Sequence, residues 1–219
     1  MMRKKGIALG AFVLVLLAAS VDLVHSQELR DIKLLKSQVD GGRPLMQVLK
    51  DRQSSREFSP KEIPLQVLSN LVWAACGINR PDSGKRTAPS ANNVQNIDFY
   101  VAMAGGLYLY EPKEHVLKAV LAEDIQAATG RQAFVKDVPV NLIYVADFSK
   151  FGGRPDEEKN FYSGVHTGYI SQNVYLFCAS EGLATVVRGL VDREALAKTM
   201  KLRPEQKVML AQSVGYPKK

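Results

Sequence analysis

Between Asp51 and Phe58 the chain reads "DRQSSREF", which puts Arg52, Gln53, Ser54, Ser55 and Arg56 in one unbroken run. Guanidinium groups bring charge and paired donors, and serine hydroxyls bring more. Free backbone N–H groups gather where a helix begins or ends. Such a run suits a bound phosphate. A solvated pair of arginines beside Asp51 and Glu57 is the alternative that spacing leaves open. A second polar stretch, "TAPSANNVQ", holds Pro89, Ser90 and Asn93 in a composition that also makes turns. No nucleophile–base set stands out among the Ser, Cys and His residues. Beyond the first 27 residues the only histidines are His115 and His166, and neither has a companion at metal-ligand spacing.

The elements that must position these groups follow from periodicity. "PLMQVLKDR" places Leu45, Val48 and Leu49 at helical spacing behind Pro44. "PLQVLSNLVWAACG" is the clearest helix, opened by Pro64 and closed by Gly77. The stretch "INRPDSGKRTAPSANN" reads as a long polar loop. "IDFYVAMAGGLYLYEP" alternates around Gly105-Gly106 and predicts a hairpin. A buried strand is expected over Val140–Val145. After it comes a long helix, "EEKNFYSGVHTGYISQNVYLFCASEGL", apolar on most sides and thin at Gly164 and Gly168. Such a helix belongs in a core or against a second subunit. "ATVVRG" and "QKVMLAQSVGYP" read as strands, with a short helix capped by Asp192 between them. This order predicts one α+β domain over 44–219, with a mixed, mainly antiparallel sheet flanked by helices. Residues 27–43 read as a loosely ordered arm.

The first 26 residues read as a secretory signal peptide. Arg3, Lys4 and Lys5 precede an apolar run from Ile7 to Ala19, and Val24 and Ser26 suit a cleavage site. Export to a periplasm or to the medium is expected, with no stable membrane span after cleavage. The formal charge is +7 for the whole chain. Cleavage leaves it mildly basic, which favours anionic ligands, and no basic-aromatic run argues for nucleic acid. Cys76 and Cys178 could pair after export, but their apolar helical settings favour two separate buried thiols.

The segments and their order resemble the FMN-dependent nitroreductase family. The resemblance runs from Pro44 to Pro217 and is carried by "RQSSREF", "WAACGINR…RTAPSANNVQNIDFYVA", "SEGLATVVRG" and "SVGYP". The hairpin "GLYLYEPKEHVL" is most similar to the branch that includes thiazole- and oxazole-forming dehydrogenases. The resemblance implies FMN as cofactor and a homodimer closed by the long helix. Arg52 and Ser54 would hold the phosphate end, and Gln53 would reach the ribityl or ring edge. Arg56 would stand by the pyrimidine edge, where a cation stabilises the reduced ring. Pro89, Ser90 and Asn93 would come from the partner subunit, Asn93 matching the alternating donors and acceptors of the ring. Gln132 would give another ring contact. Val187, Arg188, Gly189 and Leu190 would offer backbone N–H groups, with Gly189 permitting close approach. Many relatives carry a basic pair beyond "VGYP" that grips the phosphate. Either Lys218 and Lys219 take that part here or the phosphate is held less tightly.

The activity implied is hydride transfer through the flavin in a ping-pong sequence between a small-molecule donor and acceptor. Two other readings stay open: a dehydrogenase or oxidase of peptide heterocycles, and a flavin-binding protein without catalysis.

Overall fold

The computed structural model describes residues 28–218. The expected signal peptide, Gln27 and Lys219 lie outside the described residues. The centre of the fold is a seven-stranded sheet. In spatial order it runs β1 (Ile32–Lys33), β6 (Val116–Leu121), β5 (Gly106–Glu111), β4 (Ile97–Met103), β7 (Val140–Asp147), β9 (Gln206–Gly215) and β8 (Ala184–Arg188). Every pairing described in it is antiparallel. A two-stranded ribbon, β2 (Ile78–Arg80) with β3 (Lys85–Arg86), stands apart.

All eight residues of β7 are buried, because helices cover both faces of the sheet. Leu142, Tyr144 and Ala146 point into one core with Phe99 and Val101 of β4. That core is closed by α2 (Leu65–Cys76) and α3 (Asp156–Glu181). Ile143 and Val145 point the other way, into a core shared with Leu196 and Met200 at α4 (Arg193–Thr199). Each such aliphatic side chain contributes about 1.5–3 kcal/mol on burial.

The helix ends follow their caps. α3 opens behind Pro155 with Asp156, Glu157 and Glu158 in its first turn, where carboxylates oppose the positive end of the helix. It ends at Gly182, whose φ of 69° is left-handed and whose N–H donates to Cys178 O. Asp192 caps α4 by accepting the Ala195 N–H at 3.2 Å.

Two expectations are corrected, and the expected β4–β5 hairpin is present with one strand more. The arm after residue 27 is not loose. β1 pairs with β6, the Leu35 N–H donates to Ser69 Oγ at 3.0 Å, and the Gln38 N–H donates to Asn70 Oδ1 at 2.9 Å. The predicted hairpin is extended by β6 into a three-stranded meander. The polar loop after α2 contains the β2–β3 ribbon. Cys76 and Cys178 are separate, free and buried. Among the described residues no helix is long and apolar enough to cross a membrane.

Candidate functional site

The donor run sits where α1 (Leu45–Asp51) gives way to extended chain. Arg52 ends that helix, its N–H donating to Val48 O at 2.8 Å. Its guanidinium lies over the Tyr175 ring, 5.3 Å from the centroid. Ser54 Oγ shares a hydrogen bond of 2.8 Å with Tyr175 Oη. The same phenol oxygen accepts the Val187 N–H at 2.9 Å. Tyr175 thus ties the donor run to the edge strand β8. When its single proton goes to Ser54, the Ser54 hydroxyl proton is left for a ligand.

β8 pairs with β9 on one side and has no strand on the other. Just past its end, Gly189 and Leu190 are exposed, and neither N–H has a hydrogen-bond partner among the described residues. Val187 differs, since Tyr175 engages its N–H. The Arg188 side chain turns inward and is 3% exposed. It donates to Thr129 O at 2.7 Å, Thr129 Oγ1 at 3.2 Å and Asn141 Oδ1 at 2.9 Å. Gln132 begins a short 3-10 turn, Ala133–Asp137, beside this cluster, and the neighbouring Arg131 N–H donates to Leu190 O at 3.1 Å.

Arg56 and Lys218 come together on a cleft of about 390 Å³ with Glu57, Phe58, Phe134 and Asp137. The Lys218 N–H reaches Glu57 O at 3.3 Å, beside a β-bridge between Phe58 and Pro217. Gln53 lies elsewhere. With Asp51 and Ser55 it lines a cavity of about 230 Å³ against Tyr175, Cys178 and Thr185.

Pro89, Ser90 and Asn93 form a separate group. They belong to a loop in which Asn92, Asn93 and Gln95 all have positive φ, near 50°. Such backbone is costly for residues with side chains and must be held from outside. Ser90 Oγ accepts the Gln95 N–H at 3.0 Å, and Asn93 Oδ1 accepts from Gln95 Nε2 at 3.0 Å. The outer anchor is His166 on α3. Its Nε2 accepts the Ala91 N–H at 2.8 Å, so its proton resides on Nδ1, which donates to Asn96 Oδ1 at 2.6 Å. Asn96 Nδ2 in turn donates to Ser163 Oγ at 2.9 Å. Burial holds the His166 pKa below its ordinary value.

The two groups share no cavity wall. Their anchors, His166 and Tyr175, stand about two and a half turns apart on α3, roughly 13 Å along its axis and on opposite rims of its buried face. Between those rims the helix is open. Phe161 is 65% exposed and Tyr169 46%, and a Cβ built at Gly164 or Gly168 would meet nothing within 4 Å. α1 adds Met46, 75% exposed, and Leu45, 61% exposed.

Tyr175, His166 and the Arg188 side chain were not anticipated. The first two lie on a helix whose pattern reads as core. The third was legible: in "ATVVR", Arg188 shares a strand face with Val186, which is 1% exposed.

An antiparallel sheet sandwiched between helices, with a donor-rich edge and a detached polar loop, defines an α+β domain. Residues 49–216 match the nitroreductase family, and the chain belongs to that family of oxidoreductases. A crystal structure of a candidate nitroreductase from Ralstonia eutropha JMP134 is 39% identical with a TM-score of 0.84. The match covers 89% of this chain and 92% of that one. The E. coli microcin synthetase complex McbBCD, bound to truncated pro-MccB17, shares the fold at 18% identity and TM-score 0.66, covering 95% and 85%. A candidate nitroreductase from Desulfovibrio desulfuricans, solved in complex with FMN, shares it at 20% identity and TM-score 0.59, covering 82% and 89%.

Proposed function

We propose that the protein is an exported FMN-dependent oxidoreductase of nitroreductase type, working as a homodimer with flavin sites across the subunit boundary. The observation that carries this reading is the convergence of Arg52, Ser54 and the Val187 N–H on Tyr175, beside the unpartnered N–H groups of Gly189 and Leu190. Cationic and neutral donors dominate that edge, which fits a ligand with a phosphate at one end and acceptor atoms at the other. Arg52 and the Ser54 hydroxyl would hold the phosphate, and Gly189 and Leu190 would donate to the ring. Arg56, Gln132 and Lys218 would flank it. The exposed apolar stripe on α3, with α1 beside it, supports a second copy as the cover. That copy would bring its own Ser90–Asn93 loop to this edge.

Bound FMN would supply hydride transfer, accepting from a small-molecule donor and passing to a small-molecule acceptor in turn. The chain's own groups bind and orient. Burial pushes the Cys76 thiol up to about 12, so it offers no thiolate nucleophile near neutral pH. His166 Nε2 is engaged by Ala91. Export is supported by the basic residues and apolar run at positions 3–19.

Anaerobic titration tests the activity. FMN-loaded protein should lose its yellow absorbance on addition of NADH or NADPH and regain it with a nitroaromatic acceptor. Colour that persists with both nicotinamides would refute the nitroreductase-type reading.

A further inference from the structure

Arg188 is a buried cation with no anion beside it among the described residues. Its three hydrogen-bond acceptors, Thr129 O, Thr129 Oγ1 and Asn141 Oδ1, are all neutral. Its Nε is buried without a partner among the described residues, and so is Gln132 Oε1 close by. Asp192, the acid nearest in sequence, is turned away, paired with Arg131 at 3.0 Å and capping α4. Burial draws the Arg188 pKa down to about 10, which leaves it charged at neutral pH. An isolated buried charge is costly, and folds hold one only where surrounding contacts fix it.

The surroundings do fix it. Gly130 has ordinary extended backbone, so its lack of a side chain has another reason. A Cβ there would land on the Arg188 guanidinium and lie 2.8 Å from Gln132 Oε1. Thr129, Gly130 and Asn141 together form a socket that accepts a guanidinium and supplies no carboxylate. The socket is tied to the Gly189–Leu190 segment, because Arg131, next to Gly130, donates its N–H to Leu190 O at 3.1 Å. The buried charge and the two exposed donors are thus held within a few residues of each other at the end of β8. In this low-dielectric setting the field of the cation is weakly screened.

We propose that Arg188 is the residue that tunes the bound cofactor, its uncompensated charge favouring negative charge on whatever ring rests on the Gly189–Leu190 donors. This rests on the reading of the site as a flavin site. Arg188 does not touch the ring; it acts as a positioning and tuning residue through the field. Arg56, on an open cleft beside Glu57 and Asp137, is the weaker candidate for that role.

Sulfite is a direct probe, because it adds its electron pair to the flavin ring and leaves the ring with negative charge. Arg188→Met removes the charge with similar volume. Gln132→Glu leaves Arg188 in place and sets a carboxylate beside it. Each FMN-loaded variant should bind sulfite at least tenfold more weakly than the unaltered protein and show a lower midpoint potential. A tenfold change corresponds to ~30 mV for a two-electron couple. Arg188→Lys should retain most of the wild-type values. Should Arg188→Met fail to fold, Arg188→Gln, which removes the charge and keeps polar contacts to Thr129 and Asn141, carries the comparison. FMN-loaded variants with unaltered sulfite affinity and potential would overturn the role of Arg188. Failure of the unaltered protein to bind FMN would instead overturn the site reading beneath it.

Discussion

His166 shows how one nitrogen can decide the state of a loop. Its Nε2 holds the Ala91 N–H only while unprotonated, and the loop it holds carries three residues at positive φ. The Phe151 and Tyr162 rings pack on it, Asn96 accepts from it and Arg86 lines the same pocket, and none of these is an acid that could favour the charged form. Its folded pKa therefore lies below the ordinary histidine value of 6.5. Between those two values the unfolded chain binds the extra proton. The stabilisation is complete above the ordinary value and is lost as pH falls through the folded one. Stability should decline with a slope of at most about 1.4 kcal/mol per pH unit across that window. Melting temperatures measured from pH 8 to pH 5 should show this decline, and His166→Gln should flatten it. An equal decline in the variant would assign the effect to other groups. The residue scale is also where sequence was least informative. "RQSSREF" announced its donors, but Tyr175 and His166 sit in a helix whose apolar pattern masks them, and their partners lie far off in sequence.

Among the elements, α3 carries the most consequence. It anchors both the donor run and the Ser90–Asn93 loop and leaves a face open at Gly164 and Gly168. Within one chain, Gly168→Leu should be harmless: its Cβ meets nothing, and Leu is favoured over Gly in a helix by up to about 1 kcal/mol. In a dimer packed on that face it should be severe. The variant is expected to keep its circular dichroism, sediment as a monomer and lose most of its affinity for FMN. A Gly168→Leu protein that stays dimeric would move the interface off α3. Periodicity made most elements legible, including α2, α3 and the β4–β5 hairpin, because their apolar faces repeat over many residues. It failed for β1, β2 and β3, which have two or three residues each, and for β6, whose "VLKAVL" does not alternate. Side-chain contacts such as Ser69 Oγ to the Leu35 N–H, invisible to any periodicity, hold the arm instead.

For the whole molecule, the one-sheet α+β architecture was readable from element order, and the family match from residue 49 to residue 216 accords with it. What a single chain does not contain is a closed site. The donor edge at Arg52, Ser54 and Gly189 and the loop at Ser90–Asn93 lie on opposite rims of α3, and no periodicity or motif in one copy could join them. A cofactor lying across the subunit boundary would bridge them. Titrating the purified protein against FMN, with the fluorescence of the flavin as signal, tests this most directly. Saturable quenching should end at one FMN per chain, with FAD binding far more weakly, because Arg52 and Ser54 would hold a terminal phosphate. FMN fluorescence that stays unchanged at every protein concentration, or quenching by FAD as strong as by FMN, would contradict it.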